Sequence, residues 1–539
     1  MRLHRSLVVS VLAVVSVLAL VSIGTPAGGA DAASGAICTT PPASDTNVNT
    51  DCEAHYHFEF GDVDLPVEET TIAVNPTDPL NMIGSAKDKQ AKITMKGKPA
   101  LNQLTRAHVT FDGGQTWTTY AIGFPGYNAS TDPSIAFDDA GTAYLGVLAL
   151  PKAGDPSIIS DFLVVRSEDG GTTWSQPVVA SQRPGEFRGA SLLNDNSRLA
   201  AWGDGSVVVV WLAYAHGRNY RTIRAPLLDA VSHDGGTTWS SPTAISGSAE
   251  FCIGLQGGHA CNQNINDAVA VSPAGDVLVE FTNTTQLGEE GNLARTTRLA
   301  VQVDAETGAR TGGPFVIGQA FDGIVEHDYP VSSSGLSKGA QTLHDSQILL
   351  GGQGNIAADP TDPGHFAAVW YDDRNAPHPV ALDPYEAITN TDVVVSQSFD
   401  GGGTWSATTA LEAPGDQFMA WGAYDGQGRL RIGYYDRSYD PMNHLFGFTL
   451  ATETQPGSLE FTTVEVTTEL SDPTRGSEPF FAAKKQDPEF PRPSAFIGDY
   501  PAIAATPTGV VAYWTDLRQQ ACILDECGHG QDAYFATVP

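Results

Sequence analysis

Three Asp–Arg pairs recur late in this sequence, as Tyr371-Asp372-Asp373-Arg374, Tyr435-Asp436-Arg437 and Asp516-Leu517-Arg518. A guanidinium stays charged and grips a carboxylate in a two-pronged fork. Three of them from adjacent structural units could hold one acidic ligand. The alternative is local: each Arg pairs with its own neighbouring Asp and ties loops together. Other groups suited to proton transfer stand where apolar runs begin or end. Glu68, Glu69, Asp132, Asp267, Asn355, Asp499 and Tyr500 precede such runs, whereas Lys87, Asp88, His216, Arg218, Asn283 and Asp373 follow them. Polar groups that converge at the ends of apolar strands are the default site of a fold.

The apolar runs must position these groups. They come in pairs, each an apolar strand, a Pro/Gly/Asp turn and a second apolar strand. The first pair is Thr71 to Val74 with Met82 to Gly84, and the last is Ala502 to Ala505 with Val510 to Trp514. Seven such pairs follow one another, and their alternating, β-branched patterns predict strands. A second repeat marks the turns. Thr110 to Trp117, Ser167 to Trp174, Ser232 to Trp239 and Ser398 to Trp405 all read Ser/Thr-x-Asp-x-Gly-x-x-Trp. Asp accepts backbone N–H bonds inside such a turn, Gly supplies positive φ, and Trp can pack on the neighbouring unit. Repetition at tens of residues means an array of similar units.

This turn resembles the Asp-box, or BNR repeat, of the sialidase-like β-propellers. The resemblance implies an all-β fold, here a seven-bladed β-propeller of four-stranded antiparallel blades. Sialidases have six blades, so a six-bladed ring is the alternative. It further implies that the boxes lie on the face opposite the site. Starts of first strands and ends of second strands then share the functional face. Blade seven runs out of chain after Asp532 to Val538, so its fourth strand is expected from the N-terminal side, at His55 to Phe60. Such closure removes the open sheet edge.

The family uses an arginine triad for the sialic acid carboxylate, a Tyr nucleophile, a Glu that activates it and an Asp acid/base. Carried over position by position, Arg374, Arg437 and Arg518 look like the triad. Tyr500 looks like the nucleophile and Asp88 like the acid/base. Glu69 and Glu280 are weak matches for the Glu, and Asp499 joins the catalytic candidates beside Tyr500. Asp132, Asp267, Asp373 and Asp516 complete the candidate substrate-binding set. The family's Phe/Tyr-Arg-Ile-Pro motif is absent, and Glu68 and Glu69 stand in its place, where they oppose an acidic sugar.

Met1 to Arg5, the apolar run Leu7 to Ile23 and Ala30-Asp31-Ala32 read as a signal peptide over residues 1–32. Residues 33–539 then form a single propeller domain, and the protein is expected outside the cell. A formal charge of −33 disfavours nucleic acid and anionic membranes as partners. Six Cys in an exported chain suggest disulfides, spaced as Cys38–Cys52, Cys252–Cys261 and Cys522–Cys527. A bridge between the two ends of the chain is the competing arrangement. No metal-ligand spacing is diagnostic, so no cofactor is expected, with structural calcium left open. Long connections at 245–265, 318–352 and 467–497 face the expected site, and the second holds Glu326-His327-Asp328-Tyr329. The expectation is a monomeric, secreted carbohydrate-active hydrolase of sialidase-like type, taking terminal and possibly acidic sugars from glycans. A non-catalytic glycan- or protein-binding propeller and a polysaccharide lyase on the same scaffold remain the alternatives.

Overall fold

Runs rich in Val, Ala, Tyr and Trp, punctuated by Gly and Asp turns, form strands throughout the chain. The computed structural model describes residues 35–52, 66–93, 99–152, 154, 157–187, 190–217, 222–286, 295–321, 342–343, 346, 348–375, 389–473, 497–523 and 526–539. Seven antiparallel sheets stand round one axis as a seven-bladed β-propeller. The innermost strands are Val67–Val74, Tyr127–Phe137, Ser191–Trp202, Asn264–Val271, Asn355–Ala358, Gln417–Tyr424 and Ala502–Thr506. Each contacts the innermost strand of the next blade, and the seventh contacts the first. The ring therefore has seven blades, not six.

The last blade is Ala502–Thr506, Gly509–Asp516 and Asp532–Val538, completed on its outer edge by Val48–Asn49. Closure thus comes from the N-terminal side, but not from the segment expected. His55 to Phe60 lies outside the described residues, as does the stretch 1–32. Just before the closing strand, Gly35–Thr39 adds a fifth strand to the outer edge of blade one. The Cys38–Cys52 disulfide joins these two segments, so it spans the seam between blades one and seven. Cys252–Cys261 is the second bridge. Cys522 and Cys527 stand opposite one another in backbone register within a small hairpin.

The core is not one mass but seven wedges, each made by two adjacent blades. The wedge at the seam packs Ile72, Met82 and Trp117 of blade one on Val511, Tyr513 and Phe535 of blade seven. Trp117 is fully buried, 5.0 Å from the Phe535 ring centre.

The four Ser/Thr-x-Asp-x-Gly-x-x-Trp turns share one hydrogen-bond pattern. In blade two, Ser167 donates to Asp169 and accepts from the Gly171 N–H, both at 2.8 Å. Asp169 also accepts from the Thr173 N–H at 2.8 Å and its hydroxyl at 2.6 Å, and the Trp174 indole donates to the Gly171 carbonyl at 3.0 Å. The same Thr stands before Trp in every copy, as Thr116, Thr173, Thr238 and Thr404. Burial alone would raise the Asp169 carboxyl, but these hydrogen bonds outweigh it and its pKa is lowered. The box glycine faces the preceding blade: a Cβ on Gly171, at φ 100°, would come within 2.8 Å of Ile83 in blade one. Each box therefore both closes a hairpin and fastens its blade to the one before. Asp169→Ala should lower unfolding stability by about 0.5–1.5 kcal/mol, the net worth of a hydrogen bond whose donors water can reach, as measured by urea denaturation.

His108 titrates at the seam. Its Nδ1 lies 2.9 Å from the Thr50 hydroxyl and also contacts the Tyr513 hydroxyl, bringing blade one, the closing segment and blade seven together. Burial first, then nearby Arg106, lowers its pKa to about 3. The unfolded chain takes up a proton near pH 6.5 that the folded ring refuses. Stability should therefore fall on acidification from about 6.5 toward 3, by up to about 1.4 kcal/mol per pH unit from this group. Melting curves of wild type and His108→Gln test this, with the variant showing the shallower pH dependence.

Candidate functional site

Five of the seven innermost strands carry a left-handed kink. Glu69, Asp132, Asn196, Asn266 and Met419 have φ of 57°, 50°, 52°, 57° and 51°, and strand register shifts at each. Left-handed backbone costs a non-glycine residue roughly 1–2 kcal/mol, and such outliers collect at functional sites. Blade seven uses Gly498 at the same stage, with φ 87°. A Cβ there would lie 2.5 Å from the Glu69 nitrogen, so glycine is required.

Residues at and beside the kinks meet at the axis. Blade one contributes Glu68, Glu69 and Lys87, and Lys87 forms ion pairs with both acids, at 2.9 Å to Glu68. The Thr131 hydroxyl lies 3.1 Å from the Glu69 carboxylate and 2.8 Å from that of Asp132, linking blades one and two. Blade three contributes Asp195 and Arg198. The Arg198 guanidinium lies 4.0 Å over the Tyr500 ring of blade seven and 5.6 Å from the Trp421 ring of blade six. Blade four contributes Asp267 and a buried Glu280–Arg298 ion pair. Beneath this mouth lies a channel cavity of about 100 Å³, lined from all seven blades by residues such as Thr71, Ser134, Arg198, Ala268, Asn355 and Trp421.

Crowded acids in a poorly solvated ring resist ionisation. Burial, then repulsion by Glu69, pushes Asp132 up to about 7, with Lys87 pulling it back. Burial and Glu69 likewise push Asp499 up to about 7. Asp195 rises well above the usual carboxylate range through burial and Asp132. Asp267 does so through burial, against the pull of Arg198. Burial raises the Tyr500 phenol strongly, and Arg198 moderates the rise. Asp195, Asp267, Glu69 and Tyr500 are buried. Asp132 and Asp499 are half-buried and keep a face toward solvent. The mouth therefore holds carboxylic acids and carboxylates together near neutral pH. Such a set can donate and accept protons or bind hydroxyl groups.

Of the expected residues, Tyr500, Asp499, Glu69, Asp132 and Asp267 come together here. Asp88 is engaged elsewhere. It follows Lys87 in one strand, so its side chain leaves on the other face, where Arg106 Nε holds it at 2.8 Å. The three arginines are each taken by an acid. Arg374 forks onto Asp372 at 2.8 and 2.7 Å and also donates to Thr408 and to the Gln319 carbonyl. Arg518 forks onto Asp516 at 2.9 and 2.7 Å and also donates to Thr468 and Asn47. Arg437 is fully buried against Asp416 at 3.2 Å. Trp370 and Trp514 complete two of these knots by donating to Asp372 and Asp516. Asp373 accepts the Asn390 N–H at 2.9 Å. Arg218 and Glu326 to Tyr329 lie outside the described residues.

Asp195 and Arg198 were not anticipated. Reading the third inner strand from Leu199 left out the polar run Asn194-Asp195-Asn196-Ser197-Arg198 directly before it, which was the available signal. Among the described residues, no group of three or more His, Cys, Asp or Glu is arranged to hold a metal ion.

No family model matches the chain, and no curated protein matches it in sequence. Among solved structures, the Hadza microbial sialidase Hz136 is similar over 72% of this chain and 66% of that one, at 15% identity and TM-score 0.40. Trypanosoma rangeli sialidase in complex with the inhibitor DANA is similar over 70% and 55%, at 15% identity and TM-score 0.37. A PL25 ulvan lyase is similar over 75% and 80%, at 13% identity and TM-score 0.38. The chain thus matches just under two thirds of the first sialidase and about half of the second. Likeness at this level decides nothing about activity or site.

The arginine knots have a direct consequence. Arg518→Ala should destabilise the fold by about 3–5 kcal/mol, because it strands the buried Asp516 carboxylate. Arg437→Lys should likewise lower stability rather than ligand affinity. Denaturation curves set beside binding isotherms separate the two effects.

Proposed function

We propose that this propeller is a secreted carbohydrate-active hydrolase that works at its axial mouth. The observation behind this reading is the pair Asp132 and Asp499: two half-buried carboxyls on different blades, both pushed up to about 7. Glycoside hydrolysis commonly needs one carboxylic acid to protonate the leaving oxygen and one carboxylate to act from the other side. Two carboxyls raised to near neutrality beside the same Glu69 are suited to present one acid and one carboxylate. In this reading Asp132, tuned by Glu69, is the proton donor, and Asp499 is the second carboxyl. Tyr500 and Arg198 shape the floor of the mouth.

The sugar is non-acidic in this reading. Arg374, Arg437 and Arg518 are already neutralised, and the mouth is rich in carboxyls that repel a carboxylate. That moves the expectation away from sialic acid and from the Tyr500 nucleophile, whose neutrality answers an anionic sugar. Two disulfides fit an oxidising compartment, and no helix among the described residues is long and apolar enough to cross a membrane. A non-catalytic binding propeller is the second reading, favoured by those same neutralised arginines.

A panel of neutral aryl glycosides, a sialoside and a uronide tests both. Turnover is expected on a neutral member, greatest near pH 7 and falling on either side. Asp132→Asn and Asp499→Asn should each lower kcat by about 10²–10⁴-fold. Saturable glycan binding with no turnover on any member supports the binding propeller instead.

A further inference from the structure

Buried lysine and arginine side chains are clasped by acids almost everywhere among the described residues. Lys87, Arg106, Arg298, Arg431 and Arg437 each stand within ion-pair distance of a carboxylate. Arg198 is the exception. It is 5% exposed, and no carboxylate among the described residues comes within that distance of it. A buried charge left without a counter-charge is expensive.

Its hydrogen bonds show which part of it is unspent. Nη1 donates to the Ser197 carbonyl at 3.2 Å, whereas Nε and Nη2 have no hydrogen-bond partner. Nε and Nη2 form one edge of the guanidinium. With that same edge Arg374 grips Asp372 and Arg518 grips Asp516. The rings of Tyr500 and Trp421, at 4.0 and 5.6 Å, temper the positive charge of Arg198. They offer its fork no pair of oxygens. Arg198 also lines the axial cavity of about 100 Å³, and it is the one charged residue among the described residues that does so. Thr71 and Ser134 bring hydroxyls to the same wall. The Ser134 oxygen already accepts the Leu199 N–H at 3.0 Å, so its own proton is left to donate. A cavity of this volume has room for several guests of the size of water.

We infer that Arg198 makes the axial cavity a binding site for a small monovalent anion, held on the Nε–Nη2 edge. A planar oxyanion of the size of formate or nitrate matches that fork with two oxygens. A single negative charge is enough, because no second cation among the described residues lines the cavity. The inference stands apart from the hydrolase reading, since it needs neither a sugar nor turnover. Tyr500, Asp267 and Asp132 act on Arg198 from blades seven, four and two. Asp499 and Asp195 belong to the same ring, and Lys87 with Glu68 and Glu69, and Arg298 with Glu280, complete the charges around it. Asp132 and Asp499 are pushed up to about 7, and Asp195 and Asp267 stand well above the usual carboxylate range. Protonated carboxyls neither repel an anion nor compete with it for the guanidinium. A bound anion in turn cancels the pull of Arg198 on Asp267 and Asp499, so binding takes up protons. Affinity therefore rises as the pH falls from about 8 to about 6.

The test uses the full chain in titration calorimetry, with sodium formate and sodium nitrate as the probes. Saturable binding is expected with a Kd of about 1 mM, the scale of two charge-assisted hydrogen bonds less the cost of immobilising the ion. Binding should be about ten-fold tighter near pH 6 than near pH 8. Titrations in buffers of different ionisation enthalpy should show proton uptake. Arg198→Lys keeps the charge but loses the fork, and should weaken binding by about ten-fold. Arg198→Met should abolish it. Failure of both probes to bind overturns the inference. Undiminished binding to Arg198→Met overturns it too, because the anion then sits elsewhere. Binding to the wild type that releases protons, or that strengthens as the pH rises, overturns it with no variant at all.

Discussion

Closure of the ring is the constraint on which the rest of the structure depends. No blade buries its own faces. Each wedge of core belongs to two blades, so an open ring would leave the apolar surfaces of blades one and seven bare. The closing device is slight in length, since only Val48–Asn49 pairs with Asp532–Val538. It is heavily reinforced around that point. Asn47 accepts from the Thr468 N–H and donates to the Val466 carbonyl, while Arg518 also reaches it. Thr50 meets His108 and Tyr513, and Cys52 is bound to Cys38 on the far side of the seam. A two-residue strand suffices because covalent and buried polar contacts hold it from both flanking blades.

Closure also creates the electrostatic problem at the centre. Seven inner strands begin at one end of a narrow axis, and their first polar residues are forced into one another's company. Left-handed kinks at five of these starts tilt the chain there, at a conformational cost the wedges must cover. Acids placed at such points repel one another and lose water at once. Both effects raise their pKa values, and neither requires any acid to be unusual in itself. The site is thus a property of the ring: Asp132 is tuned by Glu69 of blade one, and Asp499 of blade seven by that same residue.

What was legible in the sequence follows from how local each feature is. The box turns could be read because Ser, Asp, Gly and Trp make their bonds within eight residues. The blade count could be read because strand pairs repeat. The closing strand could not, since two residues carry no periodic pattern and their partners stand nearly five hundred positions away. The Asp–Arg repeats were misleading for the opposite reason. Their guanidiniums look available in sequence, yet in two of them an acid two residues back already occupies the fork. Asp88 shows the limit of reading strand ends: one step along the strand from Lys87 changes which face of the blade it serves. Asp195 was hidden because the third inner strand starts at Ser191 and runs through a kink at Asn196 before its apolar run.

Arg198 shows how these levels meet. From sequence it is a lone basic residue before an apolar strand. In the ring it becomes, like Lys87, a cation shared by several acids, laid across Tyr500 and Trp421 and lining the channel. It lowers the cost of ionising Asp267 and, after Lys87, that of Asp499. Replacing another ring acid by a neutral residue would relieve repulsion and stabilise the fold, by the same logic that makes buried unpaired charge expensive. Keeping so many acids at the axis therefore works against stability, a cost that the seven wedges around it must cover.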